Sequence, residues 1–115
     1  MKDQVPGRGE IWLIDFDPTR GHEQAGKRPA LVVSVDMFNA GPAGLLIVIP
    51  ITSKAKGVPL HVAVQAPEGG LQLPSFIKCE DVRSVSKTRL QGRVGAISPQ
   101  TLAMVEDRLR ILLGL

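Results

Sequence analysis

The stretch Leu45–Thr52 (L-L-I-V-I-P-I-T) constrains this chain more than any other. Consecutive apolar side chains leave it no solvent face, so a strand made of them must be covered on both sides. Its isoleucines and valine favour extended backbone, and the run is shorter than a typical buried helix. It is therefore expected to be the central strand of a sheet. Pro50 lies inside it, and proline has no N–H to give to a ladder. A bulge or an end of pairing is expected there.

Around that run the sequence predicts other short strands. Ile11–Asp17 follows Gly9, and Ala30–Val35 follows Pro29. Leu60–Ala66 alternates, with Leu60, Val62 and Val64 on one face and His61, Ala63 and Gln65 on a solvent face. Phe76–Val85 reads as one mixed strand that puts Lys78 and Glu80 on the same side, with Cys79 pointing to the core. Arg93–Ile97 is a last short strand. Asp36 is a candidate cap for a helical turn before the Gly/Pro cluster that ends at Gly44. Ser98-Pro99 is a strong helix start, and Leu102, Val105, Leu109 and Leu112 form one apolar stripe expected to pack on the core. Gly114 supplies the stop. The expected fold is mainly β with a C-terminal helix, a small and partly open barrel over residues 1–115. Met1–Arg8 is expected to be a flexible lead-in to this single domain.

Composition narrows the function. At 115 residues the chain can build one hydrophobic core. No stretch approaches the ~20 apolar residues of a membrane span, and the polar N-terminus lacks the apolar region of a signal peptide. Cys79 is the only cysteine, which suits a reducing, cytoplasmic setting. With so few cysteines and histidines, no metal site and no cofactor are expected. A net charge of +3 permits a polyanionic partner. Aromatic residues are scarce and tyrosine is absent, so any RNA recognition must rest on charge and hydrogen bonds rather than on stacked rings.

The loop Asp17–Pro29 (D-P-T-R-G-H-E-Q-A-G-K-R-P) is chemically the richest segment. Metal-free RNA cleavage needs a base for the ribose 2′-hydroxyl, a cation for the charge on phosphorus and an acid for the leaving oxygen. Glu23 and Arg28 supply a carboxylate and a guanidinium, and His22 a ring that titrates near neutrality. Spacing alone equally allows a surface ion pair of Glu23 with Lys27 or Arg28, worth under ~1 kcal/mol. Thr52 ends the central run, where a hydroxyl can meet a phosphate oxygen. Arg20, Lys27, Ser53, Lys54, Lys56, Lys78 and Arg83 are candidate RNA contacts, and each reads equally as ordinary polar surface. Lys78 and Glu80 form a second carboxylate–cation pair.

The run G-E-I-W-L-I-D-F-D-P-T-R-G-H-E-Q-A-G-K-R-P-A-L-V-V-S strongly resembles the opening of the MazF/PemK (Kid) toxins. The likeness continues through V-I-P-I-T-S-K-A-K-G, I-K-C-E-D-V-R-S-V-S-K-T-R-L and the S-P-Q-T-L helix start, from Arg8 to the end. This resemblance implies an SH3-like barrel of the CcdB/PemK type, working as a homodimer. It implies a metal-independent, sequence-specific endoribonuclease that leaves 2′,3′-cyclic phosphate and 5′-hydroxyl ends on single-stranded RNA. Arg28 then stands at the family's catalytic arginine, Thr52 at its threonine, Glu23 at one branch's proposed base and His22 at a histidine of the Kid branch. The Kid branch carries an Arg-Cys-Asp triplet where this chain reads Lys78-Cys79-Glu80. Lysine lacks the guanidinium fork and glutamate is one methylene longer, so Glu23 ranks ahead of Glu80 as base. The implied partner is a cognate antitoxin with an acidic, partly disordered segment. Two rival readings use the same barrel: a catalytically impaired binding paralogue, favoured by Lys78 and Glu80, and a gyrase poison of the CcdB kind, which needs neither Glu23 nor Arg28.

Overall fold

The central apolar run is β3, Leu45–Thr52, and in the computed structural model, which describes residues 5–16 and 26–115, it meets three other strands. Along one edge it pairs antiparallel with β2 (Lys27–Val32), Ala30 opposite Pro50 and Val32 opposite Val48. Along the other edge the partner changes. Leu45–Val48 pairs with β6 (Arg83–Ser86), whereas Ile51 and Thr52 pair with β5 (Ser75–Lys78). Pro50 falls in the changeover, so its missing N–H is accommodated where pairing on that edge lapses.

The sheet continues outward through β2 to β1 (Glu10–Asp15) and β7 (Leu90–Ala96), and through β5 to β4 (His61–Val64). The β1–β7 ladder slips register twice, between Ile11 and Trp12 and between Leu13 and Ile14. Such bulges bend and twist a strand, which curls this all-antiparallel sheet toward a barrel. Alternate β3 residues serve two apolar clusters. Ile49 and Ile51 join Ile11, Leu31, Val62, Ile77 and Val105, while Leu46 and Val48 join Trp12, Ile14, Phe16 and Val85. The fold is mainly β with one closing helix, as expected.

That helix, α2 (Pro99–Leu113), starts at Ser98, whose Oγ accepts from the Thr101 N–H at 3.1 Å, and stops at Gly114 in the left-handed region. Val105 is fully buried and Leu109 packs against the same cluster. Leu112 is 37% exposed and Ile111, Leu113 and Leu115 more so, which corrects the expectation that the stripe is core to its end. The short helix α1 (Asp36–Ala40) has Val35 at its cap position, with no side-chain cap. Asp36 instead accepts from the Arg8 N–H at 2.8 Å. Pro6–Arg8, expected to be flexible, is tied down. The buried Asn39 donates to the Pro6 carbonyl at 3.0 Å, and Arg8 binds the Val33 carbonyl at 3.0 Å and Glu106 at 2.6 Å.

The expected strand Phe76–Val85 is two strands separated by a 3-10 turn, Cys79–Asp81. Asp81 lies near both flanking cations, 3.7 Å from Lys78 Nζ and hydrogen-bonded to Arg83 Nη2. Lys78 and Glu80 therefore do not share a strand face.

Between β4 and β5 the chain passes tightly over β7. A Cβ on Gly70 would lie 2.2 Å from the Val94 carbonyl oxygen, and one on Gly95 2.4 Å from the Gly69 backbone. Gly69 and Gly70 also take positive φ. Gly95→Ala should therefore destabilise the protein by about 1–3 kcal/mol through overpacking against backbone that cannot move aside. Gly92→Ala on the same strand, with nothing within 4 Å, should stay within ~0.5 kcal/mol of the parent. Denaturant unfolding of the two variants measures the difference.

Candidate active site

A pocket of about 420 Å³ opens where β2 and β3 meet the chain segment between β4 and β5. Arg28 and Pro29 of β2, Thr52 at the end of β3, and Ser53 just beyond it line the pocket. Gly70–Leu73, Ser75, Leu13 of β1 and Val94 of β7 line it as well. Antiparallel pairing brings the polar pair together. Ala30 opposes Pro50 in the last pair of the β2–β3 ladder, and Arg28 and Thr52 each lie two residues beyond it, at the same end. Arg28 is exposed and sits opposite Ile14 of β1. Thr52 is half-buried, and its Oγ1 accepts from the Lys54 N–H at 3.2 Å, which leaves its hydroxyl proton available to a ligand.

The segment 66–74 is held at its base. Glu68 Oε2 accepts from the Ser98 N–H at 2.9 Å, joining the segment to the start of α2. Hydrogen bonds from the Thr101 hydroxyl and then the Ser98 N–H hold the Glu68 carboxyl below its ordinary 4.5, outweighing slight burial. Leu71 is buried in the core, and Ser75 Oγ donates to the Leu73 carbonyl at 2.8 Å. Gln72 and Leu73 stand exposed between these anchors.

The other candidates from the sequence fall elsewhere. Glu80 lies outside the pocket and contacts His61, Oε2 to Nε2 at 2.7 Å. His61, expected on a solvent face, has a side chain only 4% exposed, and its Nδ1 has no hydrogen-bond partner among the described residues. Alternation assigned the face correctly. What it missed is that the turn after Lys78 folds Glu80 back over the ring, since His61 is paired with Lys78. Arg83 is ion-paired to Asp81 and lies 5.3 Å from the Phe16 ring centroid, a cation over an aromatic face. Lys27, Lys54 and Lys56 are exposed and do not line the pocket. Cys79 is buried, and desolvation, with Glu80 adding to it, pushes its thiol up to about 11, so it is chemically quiet.

Arg20, His22 and Glu23 lie outside the described residues. The described chain on either side of them is joined: the Phe16 N–H donates to the Gly26 carbonyl at 2.9 Å, and Asp15 pairs with Lys27. Ser75 is a pocket residue the sequence reading missed. A serine at a strand start carries no signal of its own; only the pairing of β5 with β3 brings it to Thr52.

Comparison with known proteins agrees with this architecture. The family described as PemK-like, MazF-like toxin of type II toxin–antitoxin system matches residues 7–113. Endoribonuclease MazF9 of Mycobacterium tuberculosis is 40% identical over 113 residues, 94% of this chain and 96% of that protein. The crystal structure of MazF from Deinococcus radiodurans superposes with a TM-score of 0.87 at 36% identity, over 98% of this chain and 100% of that one. A MazE–MazF crystal structure from the same organism gives a TM-score of 0.81 at 36% identity, over 98% and 99% of the two chains.

The Glu68 anchor makes a prediction with a definite sign. Its carboxyl is more acidic folded than unfolded, so its contribution is complete above the unfolded value and is lost as pH falls through the folded one. Between about pH 5 and pH 3 the melting temperature of the parent should drop more steeply than that of Glu68→Gln. A calorimetric pH series on both proteins tests this.

Proposed function

Because the chain belongs to the family of PemK-like, MazF-like toxins of type II toxin–antitoxin systems, we propose that it is an endoribonuclease toxin cutting single-stranded RNA at a short sequence. The observation that carries this reading is the meeting of Arg28 and Thr52, from adjacent strands, in one open pocket. A guanidinium and a hydroxyl placed together suit a phosphodiester: a planar cation for its anionic oxygens and a donor to fix its orientation.

The reaction needs no group beyond side chains and solvent. The ribose 2′-oxygen loses its proton to the base and attacks its own 3′-phosphorus. The bond to the 5′-oxygen breaks, leaving a 2′,3′-cyclic phosphate and a 5′-hydroxyl protonated from solvent. Arg28 holds the charge that builds on the phosphorane, and Thr52 positions the phosphate. We assign the base to Glu23, since Glu80 is outside the Arg28 pocket and committed to His61. His22, beside Glu23 in the sequence, is assigned to assist the chemistry, and Arg20 is assigned a supporting contact to the RNA, as are Lys27, Ser53, Lys54 and Lys56. Lys78 and Arg83 hold the Asp81 turn instead.

The working form is a homodimer in the cytoplasm, silenced by a cognate antitoxin whose acidic segment competes with RNA for the basic rim. That partner is supported by the MazE–MazF structure, whose toxin chain this one resembles over nearly its whole length. Among the described residues no helix is long and apolar enough to cross a membrane.

Arg28→Ala should lower cleavage of a long single-stranded RNA about a hundredfold or more, with the fold retained. Thr52→Val should give a smaller loss. Both are read in EDTA by mapping new RNA ends, where the parent protein retains full activity. Parent-like cleavage by Arg28→Ala would remove the arginine from the mechanism.

A further inference from the structure

The pocket that holds Arg28 and Thr52 is lined by two unlike sets of residues, and the catalytic reading uses only one of them. The unused set includes Leu13, Val94, Leu71, Gln72 and Leu73. We propose that Gln72 and Leu73 read the base of a nucleotide adjoining the scissile phosphate, so that they set part of the RNA word this protein cuts. The inference rests on the ribonuclease reading and names residues within it that determine specificity.

Size and chemistry both favour a base in this place. About 420 Å³ falls near the lower end of the ~300–1,000 Å³ range of small-ligand pockets, room for about one nucleotide. With the phosphate at Arg28 and Thr52, the rest of the lining is left to meet the attached base. A base presents flat apolar faces and a hydrogen-bonding edge. Leu73 is 60% exposed although apolar, and so offers contact area to a face. Among the described residues no aromatic side chain lines the pocket, so an aliphatic side chain does the packing that a ring performs in many single-strand binders. Gln72 carries one amide acceptor and a pair of donors, which meet the complementary donor and acceptor of a base edge.

Rigidity is the second half of the argument, because a side chain discriminates bases only if it cannot shift to suit each one. Glu68 holds the segment to α2, Gly69 and Gly70 lie against β7, Leu71 is buried, and Ser75 fixes the Leu73 carbonyl. Gln72 and Leu73 are left as a short exposed tip on a clamped backbone.

The test is end-mapping of a long single-stranded RNA of mixed sequence, cut in EDTA by the parent and by Gln72→Ala, Gln72→Glu and Leu73→Ala. Total rates are set aside, and the ratio of cutting among the four bases at each position of the word is compared. Gln72→Ala should lower the parent's preference about tenfold at one position beside the cut and leave the others. Gln72→Glu, which loses the donors, should change the order of preferred bases at that same position. Leu73→Ala should also weaken preference there, giving an independent variant should either glutamine substitution fail to fold. Gln91→Ala, exposed and outside the pocket, should return the parent word. Folded Gln72 and Leu73 variants that keep the parent word with ratios within about twofold would overturn the proposal. A folded Gln72→Ala that cuts at no word would overturn it as well, since the residue would then serve the chemistry. Absence of cutting by the parent is a different result, and removes the ribonuclease reading on which the proposal rests.

Discussion

The structure depends on one strand having two different neighbours along one edge. β3 pairs with β6 over its first half and with β5 over its end, and Pro50 occupies the gap between them. A single long partner would have extended a flat ladder and left Thr52 in the middle of a sheet. With the changeover, β5 brings Ser75 and the preceding segment to the end of β3. On the other edge, pairing with β2 over Ala30–Val32 leaves Arg28 and Thr52 at the same end of the ladder. The pocket is a by-product of sheet geometry, and its polar residues sit at strand ends where side chains escape the core.

Much of this was legible in the chain. Leu45–Thr52 announced a two-sided core strand because no solvent face can be drawn on it. The Ser98-Pro99 start and Gly114 stop fixed the closing helix, because caps are local chemistry. The failures have a common cause in contacts between distant residues. A three-residue turn at Cys79–Asp81 has no periodicity to reveal it, and its stabilising charges read as ordinary strand polarity. His61 is concealed by Glu80, which lies nineteen positions away in sequence. Asp36, which looks like a helix cap, serves an N–H twenty-eight residues upstream. Pro6 looks like the start of a loose tail, yet its carbonyl satisfies a buried asparagine.

The charged residues divide into two populations that sequence cannot separate. Arg8, Arg83 and Arg93 are paired with carboxylates at Glu106, Asp81 and Glu10, and each joins segments of the scaffold. Glu10 shows how closely: burial raises its carboxyl, but hydrogen bonds from Gly7, Trp12 and Arg93 outweigh this and leave it lowered. Lys54 and Lys56 are exposed, in the segment that follows the pocket residue Ser53. A net charge of +3 is thus a poor guide to where a polyanion binds. The excess that matters is the part not already spent on structural partners.

The segment over β7 is seated through Glu68, two glycines, Leu71 and Ser75, and leaves Gln72 and Leu73 exposed at its tip. Frame and lettering are in this way physically separate. A change at position 72 or 73 alters surface alone and costs little stability, whereas a methyl group at position 70 or 95 collides with backbone. Such a division lets a chain of this kind acquire a new target by single steps through variants that all still fold. An enzyme whose recognition residues were also its core would have to surrender stability at every such step.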